Sequence, residues 1–289
     1  MIAQSFQYES PGTLSEAISL LHKYGEDAKI LSGGHSLIPM MKLRLATPEW
    51  LIDINGIPGL SHIKEDGGVI KIGALTTEAA IEHSDLLKKH YPLFADVTKL
   101  IADPQVRNVA TIGGNLAHGD AANDHPAVML ALNATVIATG SDGERRIPID
   151  EFFHGFYTTA LQHGEILTEI QIPVPPAGTG SAYHKLERKV GDYATAGVAV
   201  RLTLDGGGTC KSAGIGLTNV SPVPLRASRS EKALIDKPLS EETISEAAKY
   251  ASEDCSPSSD LRGSEEYKRA MVAVLVGRMI RKAGERARG

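Results

Sequence analysis

The sequence has few cysteines. Only two occur among its 289 residues, and Cys210 and Cys255 lie far apart without a CxxC spacing. A disulfide framework and a zinc site are therefore not indicated, and a reducing compartment is expected. The common iron–sulfur clusters need four thiolate ligands, which this chain cannot supply. Any cluster that takes part in its chemistry must belong to a partner.

An excess of charge of one sign and long apolar runs are also missing. The formal net charge is −5 and the isoelectric point is near 6.1, which argues against a protein that binds duplex nucleic acid. No apolar run reaches the roughly 18 residues that span a bilayer, and residues 1–10 lack a basic region followed by an apolar core. We expect a cytoplasmic protein without a transmembrane segment.

Several catalytic signatures are absent. Neither Gly178-x-Gly180 nor Gly214-x-Gly216 has the third glycine of a GxGxxG motif, so nicotinamide binding has no support. The phosphate-binding GxxxxGK[ST], the GxSxG elbow of hydrolases and the HExxH zinc motif do not occur. The sequence therefore gives no sign of a phosphate-loop enzyme, a serine hydrolase or a zinc protease.

Ordinary composition indicates a folded protein of about two domains. Hydrophobic residues make up 42% and charged residues 22% of the chain, as in ordinary globular proteins. At roughly 150 residues per domain, 289 residues are enough for about two domains. The Pro/Gly-rich stretch from Ile172 to Ala182 resembles a linker, because prolines disfavour helices and central strands. We predict domains at 1–177 and 178–289.

Helix and strand signals alternate along the chain. Thr13 and Glu16 have the capping-box spacing that opens a helix, and Gly25 ends it. Thr76 or Thr77 is expected to cap one helix that continues to about Lys89. Further predicted elements are strands at 28–31, 51–54, 69–72 and 134–139, helices after Pro92 and over 126–132, and in the last third two alternating strands and three helices.

Two glycine pairs carry the main functional signal. The first glycine segment, SGGHS (residues 32–36), and the second glycine segment, TIGGN (residues 111–115), each follow an apolar stretch and contain small polar residues. Consecutive glycines in a turn let backbone N–H groups converge on an anion such as a pyrophosphate. Because the two segments are far apart in sequence, we predict that both are turns facing one long ligand, a dinucleotide.

Three histidines lie in or beside these segments. The spacing of His35, His118 and His125 fits no helical metal-binding face. We therefore expect them at the edge of a ligand or at the surface, and we predict that the chain binds no metal.

Three longer motifs match a known family. They are SGGHSLIPMMKLR at 32–44, ADPQVRNVATIGGN at 102–115 and KLERKVGDYATAG at 185–197. Over nearly its whole length the chain resembles the FAD-binding medium subunits of molybdenum hydroxylases, the xanthine dehydrogenase family. Within that family it most resembles the branch of aerobic carbon monoxide dehydrogenases. In relatives Ala is common where Ser32 stands, and Pro where Ala121 stands.

The resemblance implies a fold and a set of flavin contacts. The fold is α+β, with a FAD-binding domain of the vanillyl-alcohol oxidase (PCMH) type in two subdomains, about 1–57 and 58–177, followed by a smaller α+β C-terminal domain. The two glycine segments would hold the FAD diphosphate. Asp124 would bond the ribityl or neighbouring hydroxyls, Ile101 and Leu167 would border the flavin, Lys185 would lie near the isoalloxazine and Tyr193 would cover one ring face. The full implied set is Ser32, Gly33, Gly34, His35, Ser36, Ile101, Thr111, Ile112, Gly113, Gly114, Asn115, Asp124, Leu167, Lys185 and Tyr193.

The resemblance also implies partners. A large subunit would carry the molybdenum cofactor and a small subunit two [2Fe–2S] clusters, in a dimer of heterotrimers that could associate peripherally with the inner face of the membrane. Electrons would pass from the clusters to FAD on this chain and then to an external acceptor, and no side chain is implied to be catalytic. Purines, aldehydes and N-heterocycles remain alternatives to carbon monoxide as substrate. A self-contained flavin oxidoreductase and a non-enzymatic binding protein remain alternative functions.

Overall fold

The computed structural model describes residues 2–289, in which the N-terminal elements form a small parallel sheet in the order β1-β3-β2. These elements are β1 (Gln7–Glu9), α1 (Leu14–Tyr24), β2 (Ala28–Leu31), α2 (Leu37–Lys42) and β3 (Trp50–Asp53). The predicted first helix is confirmed, since the Thr13 side chain accepts a hydrogen bond from the Glu16 N–H and Gly25 follows the last helical residue. The first glycine segment connects β2 to α2 at the carboxyl edge of this sheet.

The middle of the chain builds an antiparallel sheet in the order β4-β5-β10-β6-β7. Its elements and the helices beside it are β4 (Ile63–Asp66), β5 (Val69–Gly73), α3 (Glu78–His83), α4 (Asp85–His90), α5 (Leu93–Val97), α6 (Pro104–Arg107), α7 (Ile112–His118), α8 (Asp124–Ala131), β6 (Thr135–Gly140), β7 (Gly143–Pro148), β8 (Phe153–Gly155), β9 (Thr158–Thr159) and β10 (Ile166–Pro173). Apolar side chains from the sheet and the helices, such as Ile70, Phe94 and Val128, share one buried core.

The single helix predicted from Thr77 to Lys89 is wrong. Thr77 does cap α3 by accepting a hydrogen bond from the Ala80 N–H, but the helix stops at Ser84, whose φ of −73° and ψ of 110° are extended. The Ser84 side chain then caps α4 by accepting from the Leu87 N–H. A serine in the middle of a helical pattern thus starts a second helix, because its hydroxyl satisfies a free N–H at a helix start.

The second glycine segment is also helical, where the sequence predicted a turn. Thr111 caps α7, and Gly113 and Gly114 lie in the first turn of that helix. The reason is tertiary: a Cβ on Gly113 would lie 2.5 Å from the Ala74 Cβ, so this glycine allows the start of α7 to pack against the chain that leaves β5.

The C-terminal part adds an antiparallel sheet in the order β11-β12-β13-β14 and three helices. These elements are β11 (Thr179–Leu186), β12 (Ala196–Leu204), β13 (Cys210–Thr218), β14 (Leu225–Arg226), α9 (Ser228–Leu234), α10 (Glu241–Asp254) and α11 (Glu265–Arg288). Every residue of β12 is buried, because α11 packs against it in addition to α8 from the preceding part of the chain. The strand predicted here is confirmed, and both of its faces are covered.

The predicted linker is shorter than expected. Ile172 belongs to β10 and Ala182 to β11, so that only residues 174–178 connect the two strands. Pro173 is the last residue of β10, and there only β5 pairs with the strand, because the pairing with β6 ends at Gln171. A proline, which lacks an N–H to donate, is tolerated at such a position. No helix among residues 2–289 combines the length and the apolar character needed to cross a membrane.

Candidate functional site

The two glycine segments come together in space and form the walls of one cleft. The Ser32 and Thr111 hydroxyl oxygens are 2.7 Å apart and share a hydrogen bond. A Cβ on Gly114 would lie 2.8 Å from the Thr111 Oγ1 and 3.1 Å from the Ser32 carbonyl oxygen. The cleft has a volume of about 460 Å³, and the predicted residues that line it are Ser32, His35, Ser36, Thr111, Gly114 and Asn115. The sequence prediction that both segments face one site is consistent with this geometry.

The first glycine segment turns sharply between β2 and α2. Gly33 has a φ of +65°, and a Cβ there would lie 2.5 Å from the Val109 carbonyl oxygen, so only glycine fits without strain. The Gly33 N–H donates to the Asn55 Oδ1 at 2.8 Å and the Gly34 N–H to the Ser32 carbonyl at 2.7 Å. The N–H groups of the two glycines are therefore already paired within the chain.

The neighbouring backbone provides the donors instead. Among residues 2–289, no partner accepts a hydrogen bond from the backbone N–H of His35 or Ser36. Both residues line the cleft, and both precede the first turn of α2. Two unpaired N–H groups at such a position favour an anionic ligand.

Asn55 is a residue that the sequence reading missed. It follows the end of β3, and Asp53 fixes its amide by accepting from the Asn55 backbone N–H at 2.9 Å and from Nδ2 at 2.8 Å. A usable signal was present in LIDIN, because polar residues just after a parallel strand collect at the edge where the neighbouring strand also ends. Asn55 orients the first glycine segment through Gly33.

The second glycine segment offers side chains to the cleft. Its backbone N–H groups are paired, that of Gly113 with the Ala74 carbonyl at 2.9 Å and that of Gly114 with the Thr111 Oγ1 at 3.2 Å. The Asn115 Oδ1 is buried and has no hydrogen-bond partner among the described residues. Buried polar atoms are normally paired, so this amide oxygen fits a ligand that donates a hydrogen bond.

A second cluster of predicted residues is centred on Asp124, the first residue of α8. Its carboxylate accepts hydrogen bonds from the Tyr183 hydroxyl and, at 2.9 Å, from the Lys185 Nζ. The Lys185 Nζ also lies 3.7 Å from a carboxylate oxygen of Glu187. Burial raises the pKa of Asp124 above its ordinary value of 3.8, and the charge of Lys185 offsets part of that rise. Asp124 and Lys185 are both buried and do not line the cleft.

A short loop joins this cluster to the cleft. The Asn123 Nδ2 donates to the Asn115 carbonyl at 2.9 Å, and the Asn123 carbonyl accepts from the Thr218 hydroxyl at 3.1 Å. Asn123 immediately precedes Asp124 and α8. The cleft and the Asp124 cluster are therefore linked by direct contacts.

The remaining predicted residues lie around these two groups. Ile101 and Leu167 are buried in the central core with Ile112 and do not line the cleft. Tyr193 is partly exposed, and the Arg262 guanidinium carbon lies 5.7 Å from its ring centroid. Burial and the neighbouring Asp120 raise the pKa of the Tyr193 hydroxyl to about 12. The assignments of Ile101, Leu167 and Tyr193 to a flavin remain predictions.

The histidine prediction is wrong in one of three cases. His35 and His118 line the cleft, and the His118 ring lies 4.8 Å from that of Tyr157, a cleft residue for which the sequence gave no signal. His125 is instead fully buried and pairs with Glu78. No cluster of three or more His, Cys, Asp or Glu side chains within residues 2–289 is arranged to hold a metal ion.

Comparison with known proteins gives matches along the whole chain. Residues 4–175 match the family described as the FAD binding domain in molybdopterin dehydrogenase, and residues 181–283 match the CO dehydrogenase flavoprotein C-terminal domain. The chain is 47% identical to the carbon monoxide dehydrogenase medium chain of Afipia carboxidovorans, covering 100% of both chains. It is 38% identical to the alpha subunit of the 6-hydroxypseudooxynicotine dehydrogenase complex of Paenarthrobacter nicotinovorans, covering 98% of this chain and 96% of that one.

A solved structure is similar in fold as well as sequence. A chain of the carbon monoxide dehydrogenase from Hydrogenophaga pseudoflava, in a form that lacks the Mo-pyranopterin moiety of the molybdenum cofactor, superposes with a TM-score of 0.97 at 49% identity. The match covers 99% of each chain. The α+β architecture described above is therefore that of a known flavoprotein chain.

Proposed function

The chain belongs to the family of FAD-binding subunits of molybdopterin dehydrogenases, and from that premise we propose that it is the electron-transfer subunit of a carbon monoxide dehydrogenase, with FAD held between the two glycine segments. The observation that carries the proposal is the contact between Ser32 and Thr111, which brings both segments to one cleft. The unpaired N–H groups of His35 and Ser36 and the unpaired Asn115 oxygen supply donors and an acceptor that suit a dinucleotide.

The side chains of this subunit bind and orient the cofactor. FAD would take up electrons from iron–sulfur clusters and release them to an external acceptor, which is chemistry of the cofactor itself. We assign the diphosphate to the backbone beside His35 and Ser36, and the ribityl or neighbouring hydroxyls to Asp124. Lys185 supplies a buried positive charge near the ring, and Tyr193 covers one ring face.

The metal centres lie on partners. Both cysteines, Cys210 and Cys255, are buried and are too few to ligate a cluster. We assign the molybdenum cofactor to a large subunit and two [2Fe–2S] clusters to a small subunit, in a dimer of heterotrimers in the cytoplasm. Two of the relatives described above are named as a medium chain and as a subunit of a complex, which supports this assembly.

Carbon monoxide is the proposed substrate of the complex. The support is the full-length identity of 47% to a carbon monoxide dehydrogenase chain, against 38% to the chain of a complex named for 6-hydroxypseudooxynicotine. Substrate would be oxidised on the large subunit, so residues of this chain do not choose it.

The flavin assignment is tested by adding a side chain where the two glycine segments meet. In Gly114→Val the added side chain would collide with Thr111 and the Ser32 carbonyl, so we expect the purified chain to lose its FAD. The matched control is Gly206→Val, because a Cβ at Gly206 meets nothing within 4 Å. FAD content is measured by absorbance, and circular dichroism checks the fold. A folded Gly114→Val chain with full flavin would refute the site.

The role as a subunit is tested by isolating the chain from its source under native conditions. We expect two further subunits and both molybdenum and iron to copurify with it. The self-contained alternative predicts a different result: the chain alone, mixed without oxygen with candidate alcohols or amines, would bleach its flavin.

A further inference from the structure

Glu78 and His125 form an ion pair that the proposed function does not use. The His125 Nε2 lies 2.7 Å from the Glu78 Oε2, and both side chains are 0% exposed. Neither residue lines the cleft. A fully buried pair of this kind is uncommon because both charges must be desolvated, so its position in the fold calls for an explanation.

Glu78 lies behind the cleft and holds the chain that leads into the second glycine segment. It is the first residue of α3, and its N–H donates to the Ala110 carbonyl at 2.9 Å. The same stretch of chain binds the start of α7, since the Ile112 N–H donates to the Thr76 carbonyl at 3.1 Å. A shift of Glu78 would therefore be transmitted to residues 111–115.

His125 belongs to the other half of the site. It follows Asp124 in the first turn of α8, and Asp124 is the carboxylate held by Lys185 and Tyr183. The contact between Glu78 and His125 thus connects the chain that holds the second glycine segment to α8, the helix that begins with Asp124. The two residues are 47 positions apart in sequence, so only the folded chain brings them together.

The charges around His125 favour its protonated form. Burial lowers the pKa of the ring, but the charge and hydrogen bond of Glu78 from α3, and the charge of Asp124 from α8, outweigh burial and raise the pKa above 6.5. The Asp124 carboxylate in turn accepts hydrogen bonds from Lys185 and Tyr183 of β11. Two carboxylates, those of Glu78 and Asp124, therefore act on the His125 ring.

We propose that Glu78 and His125 are positioning residues whose ion pair holds the second glycine segment and the Asp124–Lys185 cluster in the relative placement that one FAD molecule needs. This inference rests on the proposed function. No further side-chain hydrogen bond holds either residue, because the remaining side-chain atoms, the Glu78 Oε1 and the His125 Nδ1, have no partner among residues 2–289. Removing Glu78 leaves His125 without its hydrogen-bonded charge partner, and removing His125 leaves the Glu78 carboxylate buried without one.

The test compares FAD affinity in the full chain and in Glu78→Gln, which keeps the shape of the side chain and removes its charge. Flavin fluorescence quenching gives the dissociation constant. At about pH 6 we expect Glu78→Gln to weaken FAD binding roughly tenfold, which corresponds to the loss of about one strong charged contact. The control is Glu65→Gln, which removes the charge from a similar pair with His90, 2.9 Å apart but partly exposed and away from the cleft. We expect the control to bind FAD as the wild type does.

The pH dependence separates positioning by charge from a simple packing role. Because the pKa of His125 is raised in the folded chain, the ion pair is present at low pH and is lost as pH rises through that raised value. The difference in FAD affinity between wild type and Glu78→Gln should therefore be largest at about pH 6 and shrink as pH rises through the raised pKa of His125. An equal FAD affinity of the two proteins at about pH 6 would overturn the inference, and a wild-type chain that binds no FAD would refute the proposed function instead.

A second measurement covers the case in which Glu78→Gln does not fold. In wild-type chain labelled with ¹⁵N-histidine, a pH titration of the His125 ring nitrogens should show a pKa above 6.5, with signals that shift when FAD is added. A His125 ring whose pKa is not raised and whose signals do not respond to FAD contradicts the proposal.

Discussion

Lys185 shows how one side chain can serve both stability and function. Its side chain is 1% exposed, and its ammonium group is paired with Asp124 at 2.9 Å. Flexible lysine side chains are rarely buried unless a partner compensates the charge. The same pairing that stabilises the buried lysine would hold the positive charge that the proposal assigns to the neighbourhood of the flavin ring.

Replacing Lys185 should therefore destabilise the chain even without cofactor. In Lys185→Met the Asp124 carboxylate loses its compensating charge, and we expect the free energy of unfolding to fall by about 3 to 5 kcal/mol. The loss should be larger at alkaline than at acid pH, because a buried carboxyl with a raised pKa is favoured in its protonated form.

Urea denaturation followed by circular dichroism measures this change, with Lys185→Met/Asp124→Asn as the control. The double variant has no unpaired buried charge and should be more stable than Lys185→Met alone. If the single variant proved as stable as wild type, the ion pair could not have the role described.

At the scale of elements, short caps divide the chain more finely than hydrophobic periodicity does. The region after β5 contains α3, α4, α5 and α6 in short succession, and the starts of α3, α4 and α6 are capped by Thr77, Ser84 and Asp103. Each cap satisfies an N–H group that a helix start leaves unpaired. These short helices pack their apolar residues into the central core, and the first residue of α3, Glu78, contacts His125 of α8.

The cap at Ser84 is open to a direct test. Ser84→Ala removes the acceptor for the Leu87 N–H, so we expect the free energy of unfolding to fall by about 1 kcal/mol. Chemical denaturation provides the measurement. Ser15→Ala, at an exposed position inside α1, is the control and should change little, whereas equal effects at both sites would rule out a special role for Ser84.

At the scale of the whole molecule, one carboxylate connects the central helices to the C-terminal helix. The Asp96 side chain on α5 accepts from the Lys282 Nζ at 2.9 Å and from the Arg286 Nη1 at 2.6 Å, both on α11. It also accepts from the Tyr183 N–H at 3.2 Å, on the strand that carries Lys185. Asp96 therefore links α11 to the strand that supports the proposed flavin site.

Removing this link should loosen the attachment of the C-terminal part. For Asp96→Ala we expect the free energy of unfolding to fall by about 2 kcal/mol and proteolysis within residues 174–178 to become faster. Burial raises the pKa of Asp96, but the hydrogen bonds from Arg286 and Lys282 outweigh it and hold the pKa below 3.8. The stabilisation is therefore present above about pH 3.8 and is lost as pH falls further.

The control for Asp96 is Glu241→Ala, which breaks a pair with Arg281 between two helices of the C-terminal part at the surface. Exposed pairs contribute little, so we expect small changes in unfolding and proteolysis. Similar changes in both variants would contradict a particular role for Asp96.

Local patterns in the sequence determined much of this protein. The helix cap at Thr13, the turn at the first glycine segment and most strands are set by neighbouring residues, because caps, turns and strand preferences depend on a few adjacent positions. The scarcity of cysteine required that iron–sulfur clusters lie elsewhere. The three longer motifs identified the family.

Only the tertiary structure decided which groups meet. The packing of Gly113 against Ala74, the meeting of Ser32 with Thr111 and the buried contact of His125 with Glu78 all join distant parts of the chain. These outcomes arise from contacts between residues far apart in sequence, which local propensity does not contain. Burial then strengthens each charge interaction, so the electrostatics of the site exist only once the chain has folded.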